Sequence, residues 1–352
     1  MQIRVEDLHA FTAALFNAAG QPLEHGAIMA DALVGADVRG ASSHGIIRLP
    51  QLLSRLRDGG ANPFPQITTI SEACATALLD ADAALGPIGA HSGMTMAVSK
   101  AEACGVGFVA VRNSDFIGTC AHSAMLALDR GMIGMTWTNG FPGMAPWGGR
   151  TNAIGNNPIG FAVPGGAGGP VVLDFAMSVT AGGWVRHAAK EGRPIPDGWV
   201  IDADGNDTND PADLPKGGAL LALGHKGYGL AVIGEVLAGV LAGAKMLGQI
   251  PHWFNATDQR VGNGHVHLAI DIRRFIDPAD FADRMDEMAL ALKKTPLRPG
   301  VDQIVLPGEA ATRRTAAHIA TGLRFNAAIA ADLRGLAETY GIPMNEMENQ
   351  DA

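Results

Sequence analysis

The run GVGFVAVRNS at residues 105–114 decides how this chain folds. It is entered from glycine, carries β-branched and aromatic residues, and leaves through Asn-Ser, the pattern of a strand bounded by turn residues. Runs of the same texture follow at GMIGMTWTNG (131–140), NPIGFAVPGG (157–166), PVVLDFAMS (170–178) and HVHLAIDI (265–272). Between them the apolar spacing turns helical at 90–104, 119–130 and 226–246. Strand-like and helical stretches that alternate in this way predict an α/β core over residues 76–294.

Outward from the core, both ends of the chain are helical. Val5, Leu8, Phe11, Leu15 and Ala18 recur at helical spacing, as do Leu23, Ile28, Leu33 and Val34. Residues 37–45 break the pattern with glycine and paired serines, and IIRLPQLLSRLRDGG (46–60) resumes it before ending on glycine. His44, within ASSHGIIRLP (41–50), therefore falls in an interhelical turn, where a side chain can project into a cleft. The tail over about 295–340 is helical again and is expected to pack beside the opening helices. The expected organisation is an N-terminal helical lobe with the His44 turn (1–75), the core (76–294) and C-terminal helices (295–352). PGGAGGP (164–170) and DADGNDTNDPADLPKGG (202–218) read as surface loops. No internal repeat is visible.

Composition limits the function. The chain has 352 residues, 47% hydrophobic and only 17% charged, a balance that suits a large folded interior. A formal net charge of −9 gives no general attraction to nucleic acid or to an anionic membrane. The most apolar segment, GLAVIGEVLAGVLAGA (229–244), is shorter than the ~20 residues a bilayer span needs and carries Glu235, so it reads as a buried helix. The opening residues lack a signal-type apolar stretch. Cys74, Cys104 and Cys120 make no CxxC pair and are odd in number, which predicts reduced thiols and a cytoplasmic protein.

Several familiar site motifs are missing. No GxxxxGK(S/T) occurs, and no complete GxGxxG follows a strand and opens a helix, so a Rossmann unit is not supported. HExxH and GxSxG are absent as well, which removes the common zinc-protease and serine-hydrolase elbows. His265 and His267 alternate on a strand and so share one face, as a metal pair would need. The plainer reading is two polar residues on a solvated strand face, and no Cys/His cluster supplies further ligands.

Eight collinear segments together resemble the malate/L-lactate dehydrogenase family of NAD(P)-dependent oxidoreductases. They are ADVRGASSHGIIRLP (36–50), GVGFVAVRNS (105–114), GMIGMTWTNG (131–140), MAPWGGRTNAIGNNPIGFAVP (144–164), VVLDFAMS (171–178), GRPIPDGWVIDADG (192–205), GHKGYGLAVIGEVLAG (224–239) and LPGE (306–309). The resemblance implies a non-Rossmann α/β fold, a largely antiparallel sheet flanked by helices, with a helical lobe built from the two chain ends. It implies a homodimer, an NAD(P)H cofactor and a small carboxylate substrate: a 2-oxo/2-hydroxy acid, or the C=N bond of a cyclic imino acid.

The chemistry asks for a proton donor and for a cation to hold the carboxylate. A histidine that titrates near neutrality suits the first task, and the resemblance gives it to His44 with Ser43 as its orienting partner. Arg48 suits the second through a bidentate fork. The plain alternatives are a turn histidine capped by its neighbour and a surface arginine. For the dinucleotide, the resemblance implies Ile117, Gly118, Thr119, Cys120 and Ala121, then Asp174, Phe175 and Ala176, then His225 and Lys226, with Pro307, Gly308 and Glu309 closing the site. Lys226 could equally be an ordinary lysine at a helix start, and Glu309 a dipole-satisfying residue at another.

Two positions depart from the family pattern. Phe116 stands where many relatives carry a histidine, and Trp184 where the imino-acid reductases place a relay aspartate. Both make the expected substrate pocket bulkier and more apolar. His122, six residues beyond Phe116, would be rotated well away from it on a helix. The departures also leave room for a catalytically idle ligand-binding relative; a metal-dependent hydrolase on His265 and His267 is the remaining alternative.

Overall fold

The computed structural model describes residues 1–347. A short strand β1 (Gln2–Ile3) leads into helices α1 (Val5–Ala18) and α2 (Leu23–Val38). Helix α1 buries Leu8, Phe11 and Leu15 of the stripe its spacing predicts, with Phe16 beside them, while Val5 is half-buried and Ala18 exposed. Helix α3 (Leu49–Asp58) has Pro50 in its first turn, where the missing N–H costs nothing, and stops at Gly59 in the left-handed conformation. Two single 3-10 turns, Ser42–His44 and Ile46–Arg48, fill the gap between α2 and α3.

The sheet begins with β2 (Thr68–Glu72), β3 (Thr76–Asp80) and, after helix α4 (Gly86–Cys104), β4 (Val106–Ser114). Helix α5 (Cys120–Met125) follows, then β5 (Met132–Thr138), β6 (Ile159–Val163) and β7 (Val171–Phe175). Helix α6 (Gly182–Glu191) precedes a small sheet of β8 (Val200–Ile201), β9 (Asp207–Thr208) and β10 (Ala219–Leu220), so residues 202–218 are more structured than a plain loop. Helix α7 (Gly224–Glu235) continues as a π-helical segment to Leu241. Strand β11 (Asn263–Asp271) then returns to the main sheet, and α8 (Pro278–Lys293), α9 (Glu309–Thr321), β12 (Leu323–Arg324) and α10 (Ala327–Tyr340) complete the described chain.

The main sheet has the order β2-β3-β4-β11-β5-β6-β7. Every pair is antiparallel except β3 with β4. This is the mixed, largely antiparallel α/β architecture expected, without a Rossmann crossover series. The late strand β11 threads between β4 and β5, which makes it the most enclosed strand of the sheet. Helix α4 lies over β4 and β11, and α5 over β5 and β6. At the chain ends β1 pairs with β12, and α1 and α2 touch α10 and α9.

Three expectations are corrected. The 229–244 segment is helical but not buried throughout, since Leu230, Ile233, Val236, Val240 and Leu241 are exposed. Cys74, in the β2–β3 turn, and Cys104, at the end of α4, form a disulfide, and only Cys120 remains free among the described residues. Their spacing of 30 residues hid a pairing that the fold makes by laying α4 back along the β2–β3 turn, so reduced thiols no longer argue for a cytoplasmic setting. His265 and His267 do share a face of β11, but that face is buried rather than solvated, because β11 is central and α4 covers it. No helix among the described residues is long and apolar enough to cross a membrane.

Candidate active site

The turn between α2 and α3 is built around Asp37. Its buried carboxylate accepts the N–H of Ile46 at 2.7 Å, and burial pushes its pKa up to about 7. Gly45 lies against that carboxylate, and a Cβ there would overlap it, so only glycine fits. The turn holds His44 with Ser43 Oγ 2.8 Å from its Nδ1. Arg48 Nε donates to the Ser43 carbonyl at 2.6 Å, which closes the turn on itself and leaves the two terminal nitrogens of the guanidinium for another partner. The His44 ring keeps some solvent-facing surface but is crowded by protein. That burial, with the charge of Arg48 added, lowers its pKa to about 4.

An aromatic wall faces the turn. The His44 ring stacks on Phe116 at 5.8 Å between centroids, and Phe116 stacks on Trp253 at 4.2 Å. The guanidinium carbon of Arg48 sits 5.6 Å above Trp253 and 5.5 Å from the Phe254 ring centre, cation–π distances to both. Phe116 thus places an apolar slab between the histidine and the indole.

The wall is anchored by a fully buried ion pair. Arg55 Nε donates to Asp115 Oδ2 at 2.9 Å, and Asp115 Oδ1 accepts the Phe116 N–H at 2.6 Å. The other Arg55 donors reach the carbonyls of Trp253, Ala256, Gly60 and Gln259. One guanidinium therefore fixes α3, the 115–116 backbone and the 253–259 loop together, with its five N–H groups all engaged. Arg55 lies on the buried stripe of α3 beside Leu52 and Leu56, a signal the sequence contained. Asp115, Trp253 and Phe254 come from positions that only the fold brings near it.

The expected cofactor residues gather around β7. Ile117 and Cys120 are buried, Gly118 has φ +77° with open space where a Cβ would stand, and Thr119 stands just before α5 without a capping side-chain hydrogen bond. The Ala121 N–H donates to Asp174 Oδ2 at 2.7 Å. Asp174 keeps exposed surface yet is closely surrounded by protein, and that crowding raises its pKa to about 6 against the pull of the Ala121 N–H and Arg39. Phe175 and Ala176 follow it, half-buried. The start of α7 adjoins the same end of β7, with Leu223 N–H bonded to Met177 O at 2.9 Å. Lys226 stands exposed in that first helical turn, and the His225 ring meets Trp147 edge-on at 6.0 Å. Pro307 O accepts the Val172 N–H at 3.1 Å, Gly308 packs on the Val172 backbone at φ +88°, and Glu309 pairs with Lys293 at 3.0 Å.

Other candidates stand apart. Trp184 is 63% exposed on α6 and contacts His187 rather than the stack. His122 faces α2, where burial lowers its pKa to about 4. No cluster of three or more His, Cys, Asp or Glu capable of holding a metal exists among the described residues.

Comparison with known proteins settles the family. The family model for malate/L-lactate dehydrogenase matches residues 3–334. This chain belongs to the malate/L-lactate dehydrogenase family. A malate dehydrogenase of Pyrococcus abyssi is 33% identical over 350 residues, covering 97% of this chain and 96% of its own. A ureidoglycolate dehydrogenase (NAD(+)) of Escherichia coli is 32% identical over 309 residues, 88% of each chain. The solved sulfolactate dehydrogenase of Methanocaldococcus jannaschii superposes with a TM-score of 0.91 at 33% identity, over 98% of both chains. Membership of the malate/L-lactate dehydrogenase family makes this chain an oxidoreductase.

Proposed function

We propose that the protein is an NAD(P)H-dependent oxidoreductase that moves a hydride between nicotinamide and a small 2-oxo/2-hydroxy acid, or reduces the related C=N bond of a cyclic imino acid. The observation that carries this reading is the His44 turn: a neutral imidazole oriented by Ser43 and placed one short turn from a guanidinium with two uncommitted nitrogens. When bound, the dinucleotide supplies the hydride donor or acceptor. The chain fits such a group. Gly118 leaves an open cradle, and Lys226 is an exposed cation between Gly224 and Gly227 with no ion-pair partner among the described residues. The segments 117–121, 174–176, 225–226 and 307–309 would hold it, with Lys226 toward phosphate.

Arg48 holds the substrate carboxylate as a fork, and His44 handles the proton. The Ser43 hydroxyl can serve either direction. It accepts from Nδ1–H in both: the neutral ring has its Nε2 lone pair free to take a hydroxyl proton during oxidation, and in the reverse direction the doubly protonated ring gives its Nε2 proton to the oxygen or nitrogen being reduced and returns to neutral. The low pKa of the free enzyme rises once a carboxylate neutralises Arg48 and adds its own negative charge beside the ring. The wall of Phe116, Trp253 and Phe254 favours a flat or apolar remainder on the substrate.

Leu230, Ile233, Val236, Val240 and Leu241 form an exposed apolar face along α7 and its π-helical extension, and in this proposal a second copy of the chain covers it to give a homodimer. The need for NAD(P)H also assigns the enzyme to the cytoplasm. Steady-state dinucleotide turnover against a panel of 2-oxo acids and cyclic imines tests the activity. Turnover with any member supports it, whereas dinucleotide binding without turnover on any member would return the chain to a ligand-binding role. Light scattering near the 36.4 kDa chain mass at micromolar concentration would remove the dimer.

A further inference from the structure

Beneath the aromatic wall, five side chains from four elements form one continuous hydrogen-bonded column. Ser114 Oγ at the end of β4 lies 2.9 Å from His265 Nε2, and His265 Nδ1 lies 2.7 Å from His267 Nε2. His267 Nδ1 is 3.0 Å from Thr136 Oγ1 on β5, its cross-strand partner, and Thr136 Oγ1 is 3.0 Å from Ser123 Oγ on α5. Ser123 Oγ then reaches the carbonyl of Cys120 at 3.2 Å. All five side chains are buried, the two imidazoles completely. Helix α4 presses glycine onto them: a Cβ on Gly89 would stand 2.9 Å from Ser114 Oγ, and one on Gly93 would overlap the His267 ring.

Burial keeps both rings neutral, pushing His265 down to about 3 and His267 well below the ordinary histidine range. A neutral imidazole has one donor and one acceptor, so the column can be complete only if its protons all point one way. Cys120 O can only accept. With Ser114 donating first, both rings carry their proton on Nδ1, Thr136 donates to Ser123 and Ser123 to Cys120, and every hydrogen has an acceptor. In the opposite polarity the Ser114 hydroxyl proton has none among the described residues.

The two ends of the column are the two feet of one loop. Ser114 immediately precedes, and Cys120 immediately follows, the residues 115–119. We propose that His265 and His267 are positioning residues that set this loop, holding Phe116 against His44 on one side and the 117–121 backbone toward the dinucleotide on the other. The assignment of what the loop serves rests on the proposed function, but the column itself does not depend on it. An unbroken chain of hydrogen bonds between the feet fixes their separation more tightly than packing alone, since each link has a narrow length.

Histidine-selective 15N NMR of the intact protein tests the column. His265 and His267 should both appear as neutral Nδ1–H tautomers that do not titrate from pH 5.5 to 8.5, and an Nε2–H tautomer or a titrating signal from either would overturn it. The link is then cut with Thr136→Val, which keeps the shape and removes the hydroxyl. In that variant the His44 ring signals should shift, carried through Phe116, and the KM values for dinucleotide and substrate should rise together about tenfold. Thr136→Ser should restore both. A Thr136→Val protein that only melts earlier, with His44 signals and KM unmoved, would reduce the column to core packing. If wild type turns over no substrate, the proposed function fails while the His44 shift still decides the column.

Discussion

His44 and the pair His265 and His267 are histidines of the same chain with opposite fates, and the difference lies in their second nitrogen. Burial lowers the pKa of all three. The core rings spend both nitrogens on protein partners, His265 on Ser114 and His267, His267 on His265 and Thr136. His44 spends only Nδ1, on Ser43, and no protein hydrogen bond reaches its Nε2 among the described residues. A fully committed imidazole builds structure, whereas one with a spare nitrogen at a solvent-facing edge is available for proton transfer. Variants in the two regions should therefore fail in different ways: activity lost with the fold intact at the edge, and stability lost together with the placement of the 115–119 loop in the interior.

The largest effect expected is at the edge. His44→Asn should lower kcat by about 10²–10⁴-fold, the range for removing a positioned proton-transfer group, while dinucleotide affinity and melting temperature stay near wild type. Near-normal turnover would place the proton elsewhere, and a large fall in melting temperature would move His44 to the interior class.

Next comes the buried anchor of the wall. Asp115→Ala leaves Arg55 charged, fully buried and without its carboxylate, and should cost about 3–5 kcal/mol in denaturant titrations. A loss below about 1 kcal/mol, the surface-pair range, would show that the four carbonyls alone satisfy Arg55.

Legibility followed the same division. The helices α1 to α3 and the strands β4 to β7 and β11 were readable because each carries its own period or composition. His44, Ser43 and Arg48 come forward through the family resemblance rather than through their spacing, and the fold keeps them in one turn because six consecutive residues hold all three. Helices α6 and α8 fall outside the segments read from spacing, although α8 carries Phe281, Met285, Met288 and Leu292 at helical intervals; none of its residues is buried. His265 and His267 were correctly put on one face, but their environment depended on β11 entering between β4 and β5, and strand order leaves no trace in a strand's own spacing. The Arg55–Asp115 pair joins residues 60 apart, and Arg55 reaches Trp253 O across 198. Such partnerships exist only after the chain has folded. The Cys74–Cys104 bridge was missed for the same reason.

The interior region also predicts an acid limb. The folded pKa values of His265 and His267 lie below the unfolded value near 6.5, so unfolding takes up two protons below that pH. Buried Asp37 works the other way, since its folded pKa of about 7 lies above its unfolded value and unfolding releases one proton in the same window. Asp174, raised to about 6, and Asp115, also raised by burial, release protons on unfolding in the same window, whereas His44 and His122, lowered to about 4, take up protons with the core pair. Uptake outweighs release, so stability should fall as the pH drops from about 6.5 to 4. A urea midpoint that is flat over this range would contradict neutral, buried rings.

The smallest effect belongs to Arg48, and it separates binding from proton transfer within the edge region. Its Nε is already committed to the Ser43 carbonyl, and its plane rests over Trp253 and Phe254, so the two terminal nitrogens are presented as a fixed fork. Lysine keeps the positive charge but has no Nε to brace on the turn and no plane to lie against the rings. Arg48→Lys should therefore raise the KM for the carboxylate substrate about tenfold and leave kcat within about threefold. The melting temperature should hardly move, because the side chain is half-exposed and no buried group loses its only partner. A kcat as low as that of His44→Asn with KM unchanged would mean that Arg48 acts on the proton transfer through His44 rather than on the carboxylate, and the edge would then be one coupled unit instead of an anchor beside an acid.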